Sequence, residues 1–121
     1  MIINNKKIDF LFTVGAEADI RKLCEGGNIE QIGELLQNPL TATDTCAAVA
    51  VILNKWAVKY QEQEGAVTSA SLFVDDVLLL RPYETKELMA EIMRAIQEGY
   101  GTSIELEPQK NGESRVKPAE Q

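Results

Sequence analysis

The chain of 121 residues contains no histidine. That absence removes the commonest general base, the histidine-dependent triads and the commonest zinc ligand together. Cysteine is nearly absent as well: Cys24 and Cys46 stand far apart, without CxxC spacing. Both fall on apolar helix faces, where a thiol behaves as a small buried hydrophobe and lacks the base or positive field that makes a thiolate. No phosphate loop is present, because Gly26-Gly27 follows a helical pattern rather than a strand and lacks lysine and hydroxyl partners. Basic clusters are missing too. With 12 Lys and Arg against 19 Asp and Glu, the net charge of −7 argues against nucleic acid or an anionic membrane as partner. No apolar run reaches the ~20 residues of a membrane helix. The opening "MIINNKKIDF" has no signal-peptide core, so a cytoplasmic location is expected. These absences nominate no catalytic, metal-binding or cofactor-binding residue, and a non-enzymatic protein without cofactor is expected.

What is present patterns well. Hydrophobic residues at 45% and charged residues at 26% are ordinary for a globular chain, and the length fits one core. The expected fold is mainly α (α+β): a small bundle of about five helices with an N-terminal β-hairpin. The expected domain is 1–107, with the hairpin at 1–15 and the helical bundle at 16–107; a flexible polar tail follows at 108–121, where Gly, two prolines and polar residues cannot offset the entropy of ordering.

In the hairpin, Ile2 and Ile3 precede a turn at Asn4-Asn5-Lys6. Ile8, Phe10, Phe12 and Val14 then recur at period two, predicting a second strand. Leu11 breaks the alternation, so the outward face needs cover as well, from a helix or from another subunit. A short helix from Ala16 carries Ile20, Leu23 and Cys24 and ends at Gly26-Gly27. Asn28 caps the next, whose Ile29, Ile32, Leu35 and Leu36 sit three and four apart before Pro39. The dominant signal is the long helix after Thr41 or Thr43, with Cys46, Val49, Ala50, Leu53, Trp56, Ala57 and Tyr60 in one stripe and Gly65 at its end. Trp56 and Tyr60 are expected to pack in the core. In "LFVDDVLLLRP", Asp75 and Asp76 suit the first turn of a short helix with Val77 to Leu80 packed; a buried strand is the competing reading. A last helix places Leu88, Ile92, Ala95 and Ile96 on one face beside Met89 and Met93, and Ile104 with Leu106 forms a possible strand.

The apolar content exceeds what a small core needs. A flank of Val51 and Val58 lies beside the main stripe, and Leu72, Phe73, Val77 and Leu78 form a compact apolar run. With Met89 and Met93, whose flexible thioethers adapt to varied partners, these are the candidate partner-binding residues. Ile8, Phe10, Leu11 and Phe12 are the candidates for self-association, which makes a homo-oligomer the expected state.

The order of elements resembles that of the tail assembly chaperones of long-tailed bacteriophages and prophages, particularly those of Gram-positive hosts. The likeness rests on the "INNKKIDFLFTVGA" opening, "LNK" within a long alanine-rich helix, the acidic "VDDVLLLRP" and "ELMAEIMRAIQEGYGT", over residues 1 to 106. It implies a non-enzymatic helper that coats the aggregation-prone tape measure protein, keeps it soluble and recruits tail tube subunits. Such proteins act in the host cytoplasm and are absent from the finished particle. In many phages a frameshifted longer form binds the tail tube protein, and "QKN" at 109 to 111 is compatible with a slippery site. A second hypothesis follows from charge alone: a small acidic regulator or inhibitor that occupies a basic site on a protein partner, with its carboxylates clustered on one surface. A third, a thiol enzyme using Cys24 or Cys46, has the least behind it.

Overall fold

Residues 1–101 are described by the structure, a computed structural model; the expected Ile104–Leu106 strand and the 108–121 tail lie outside the described residues. Strand β1, Ile2–Ile3, pairs antiparallel with β2, Lys6–Lys7, placing Ile2 opposite Lys7 and Ile3 opposite Lys6. Asn4 and Asn5 connect them at φ of 52° and 63°, the left-handed pair that a two-residue hairpin turn demands and asparagine tolerates. One further exchange, between Ile8 N–H and the Met1 carbonyl and between the Met1 ammonium and the Ile8 carbonyl, lengthens the ladder at 2.8 and 3.1 Å.

There the expected second strand stops, and the hairpin assigned to 1–15 is correspondingly shorter. The Leu11 N–H donates at 3.1 Å to the Leu53 carbonyl of a helix, and by Val14 the chain is itself helical. A helix surface supplies an apolar layer but no ladder of free backbone groups, so the alternation survives as burial without strand pairing. Ile8 and Phe12 are buried and Phe10 is half-buried, whereas Val14 is 84% exposed.

Five helices follow: α1 (Val14–Arg21), α2 (Gln31–Gln37), α3 (Ala42–Glu64), α4 (Val74–Leu78) and α5 (Thr85–Gly99), with 3₁₀ turns at Glu25–Gly27 and Pro82–Glu84. Helices α1, α2, α4 and α5 all pack on α3, which makes it the axis of the molecule. Thr13 caps α1 by accepting from the Ala16 N–H at 3.1 Å. Helix α1 ends earlier than the Gly26-Gly27 pair, which turns the following 3₁₀ segment; Cys24 is buried there and Leu23 exposed. Asn28 does cap locally, accepting from the Glu30 N–H at 3.1 Å. The α3 stripe is buried from Cys46 through Val49, Ala50 and Leu53 to Ala57; Trp56 is half-buried and Tyr60 exposed, so the core ends a turn earlier than the pattern implies. Thr41 precedes α3, yet its hydroxyl donates to the Leu35 carbonyl at 2.7 Å and links α2 to α3.

The contact of α1 with α3 is close enough to require glycine. A Cβ on Gly15 would lie 2.4 Å from the Trp56 ring. The far end of α5 is held against the N-terminal segment in a similar way: the Tyr100 ring lies 4.9 Å from Phe12, and its hydroxyl donates to the Glu17 carboxylate at 2.6 Å.

Candidate functional site

The two ends of α4 face different surroundings. On one side lies a dense polar lock. Asn54, 2% exposed in the middle of the α3 stripe, donates through Nδ2 to the Asp9 carbonyl, the Ser69 hydroxyl and the Ala70 carbonyl, each at 3.1 Å. Its Oδ1 accepts from the Leu72 N–H at 2.8 Å. Two turns on, Gln61 Oε1 accepts from the Thr68 and Ser69 N–H groups while Nε2 donates to the Asp9 carboxylate at 2.8 Å. Both amides thus lace the N-terminal segment and the α3–α4 connection to one face of α3. Burial alone would raise the Asp9 carboxyl, but hydrogen bonds from Gln61 and Thr68 and the charge of Lys7 outweigh it and hold the group below its ordinary range. Trp56 joins α1 likewise: its indole N–H donates to Asp19 at 2.9 Å, beside the Lys55 ammonium at 2.8 Å, and the lysine first and the indole second lower the Asp19 carboxyl.

The N-terminal end of α4 is tied to the hairpin. Asp76 accepts from Lys6 at 2.6 Å, from the Phe73 N–H at 2.9 Å and from Asn4 Nδ2 at 3.2 Å. Those bonds, the lysine first, lower its carboxyl to about 2. This identifies "VDD" as a helix start, as the dipole reading expects, with Asp76 capping its own N-cap residue.

Beyond that anchor the surface turns apolar. Only Val77 of α4 is buried; Leu78, Leu79, Phe73 and Val74 are exposed, Leu79 to 73% and Phe73 to 63%. Tyr83 continues the ridge at 69%. The expected packing of Val77 to Leu80 is therefore correct for Val77, partial for Leu80 and absent for Leu78 and Leu79. Behind the ridge runs a groove of about 230 Å³ between three helices, lined by Thr43 and Cys46 of α3, Val77 and Leu78 of α4, Leu80 and Pro82 of the link, and Met89 of α5. No lining residue carries a charge. The volume is below the ~300–1,000 Å³ of small-molecule sites and suits inserted side chains. A second hollow of about 260 Å³, beside Asp9, Glu91, Arg94 and Glu98, is polar, and its Arg94 is paired with Glu91 at 2.7 Å.

The structure gathers three of the expected partner-binding residues, Val77, Leu78 and Met89, in this groove. Met93 is exposed one turn beyond Met89, and Phe73 is exposed at the start of α4. Leu72 lies in the core, and Val51 and Val58 are half-buried along α3, outside the groove. Of the self-association candidates, Ile8 and Phe12 are core residues of this chain, and Phe10 and Leu11 are half-buried. Sequence reasoning missed Asn54 and Gln61 as organisers; the available signal was an asparagine inside an apolar helical stripe, where its side chain needs buried partners. Both thiols are free and buried, and burial raises each above its ordinary value. Among the described residues, no helix is long and apolar enough to cross a membrane. No family model, no curated protein and no solved structure matches the chain.

Proposed function

We propose that this chain is a non-enzymatic phage tail assembly chaperone, whose client is the tape measure protein. The carrying observation is the apolar ridge of Phe73, Val74, Leu78, Leu79 and Tyr83 beside an uncharged groove. Five large apolar side chains exposed within one short segment, residues 73–83, are more than a monomer's surface needs and support a site that another chain covers. Its place on short elements at one end of a braced helix suits a surface that adapts to successive segments of a long client. The likeness in element order supplies the client's identity and the further roles: self-association, recruitment of the tail tube protein by a longer form, and action in the host cytoplasm before the particle is complete.

The acidic-regulator reading receives less support. It calls for all the carboxylates to be gathered on one surface, whereas Asp44 and Glu62, both without ion-pair partners among the described residues, stand at opposite ends of α3, about 27 Å apart at 1.5 Å per residue, and the likewise unpaired Glu34 lies on α2.

Co-expression with the tape measure protein tests the proposal. The client is expected in the soluble fraction only when this chain is present, with the two eluting together on sizing. A client that remains insoluble, with this chain eluting alone, overturns it.

A further inference from the structure

We infer that the groove between α3, α4 and α5 receives the apolar face of an amphipathic helix from another protein, and that this helix is flanked by Lys and Arg. The inference deepens the chaperone reading, on which it rests for the existence of a client.

Three observations carry it. First, the walls are side chains of three helices and their link. Helical backbone groups are paired internally, so an extended segment would find few partners here, whereas a helix arrives with its own satisfied. Second, Met89 and Met93 stand one turn apart on α5, and Leu78 of α4 lines the groove with Met89, a spacing that takes side chains at i, i+3 or i+4 and i+7. Third, the lining is uncharged, while the charged residues next to it in sequence are mostly acidic. Asp44 follows Thr43 on α3, Asp75 stands two residues before Val77 on α4, and Glu84 of the 3₁₀ turn and Glu87 of α5 lie on either side of Thr85, against Arg81 and Lys86. A second copy of this chain seated in the groove would bring the same acidic neighbours to the contact, which like-charge repulsion disfavours there. Basic flanks complement these neighbours.

Two peptides of about 18 residues, long enough to hold helical structure, test this on the full chain. Both carry leucines at i, i+3, i+4 and i+7; one has lysine flanks and the other glutamate. Fluorescence anisotropy reads binding. The lysine peptide is expected to bind at least about tenfold more tightly than the glutamate peptide, and added salt to narrow the gap. Leu78→Asp then separates groove binding from general attraction, because the new carboxylate strengthens attraction to lysines but spoils the groove. A loss of about tenfold or more is expected. Thr43→Trp, which fills the groove without changing charge, is expected to weaken binding too. Circular dichroism confirms that each variant is folded.

Equal binding of the two peptides, or unchanged or tighter binding by Leu78→Asp, overturns the inference. So does a dimer of the chain that Leu78→Asp dissociates while neither peptide binds, since a second copy is then the occupant. If the peptide results hold but the tape measure protein is not solubilised, the chaperone reading falls and the groove stands. If the client is solubilised by the Leu78→Asp chain as well as by the original, the groove assignment falls alone.

Discussion

Helix α3 presents two contrasting regions. Along its middle and C-terminal half, the buried Asn54 amide, the half-buried Gln61 amide and paired charges bind it to the N-terminal segment, to α1 and to the 66–72 connection. Around its N-terminal end, it meets α4 and the start of α5 through apolar side chains, many of them exposed. Hydrogen bonds are directional and costly to leave unmade when buried, so the first region has one arrangement. Apolar contact is non-directional, so the second accepts different neighbours. On the function proposed above, stability belongs to the laced region and binding to the ridge and groove.

The largest effect should come from breaking the lock. Asn54→Ala removes one acceptor and two donors from four buried or half-buried bonds, and is expected to cost about 3 kcal/mol in urea unfolding. Next is Gly15→Ala, whose methyl group meets the Trp56 ring; overpacking of this kind costs about 2 kcal/mol. A smaller effect lies at the joint between the regions. Because the Asp76 carboxyl is lowered from its ordinary 3.8 to about 2, its contribution is fully present above pH 3.8 and is lost as the pH falls through about 2. Asp76→Asn is expected to be less stable than the original at pH 5 and to approach it at pH 2 in parallel denaturation curves. The smallest change in stability belongs to the ridge: Leu79→Ser should shift unfolding by less than about 0.5 kcal/mol, yet reduce the yield of soluble client. A ridge variant as destabilising as Asn54→Ala would erase the distinction.

The elements that repeat a local pattern were legible in sequence. The α3 stripe, the Leu88–Ile92–Ala95 face of α5 and the left-handed Asn4-Asn5 turn each follow from residues near one another. The region that holds the chain together was not, since Asn54 is distant in sequence from Asp9 and Leu72, and no periodicity announces which carbonyls an amide will find. The period-two run from Ile8 to Val14 misled for the same reason: alternation reports which side chains are buried, whereas pairing depends on what lies alongside, here a helix. At the candidate site, composition pointed to apolar surplus around α4 and α5. It did not separate Leu72 and Val77, which face the core, from Phe73 and Leu78, which face outward, because so short a helix has no second turn to establish its face.

Amide hydrogen exchange, with and without the tape measure protein, measures both regions at once. In the free chain the Leu72 and Ala70 amides, bonded to Asn54 and to the Lys7 carbonyl, should exchange only through global unfolding, while the Leu79 and Leu80 amides at the exposed end of α4 exchange through local opening. The client should slow Leu79 and Leu80 and leave Leu72 unchanged. Equal protection of all four amides in the free chain, or a client that leaves Leu79 and Leu80 untouched, would contradict the division between a braced scaffold and a binding surface.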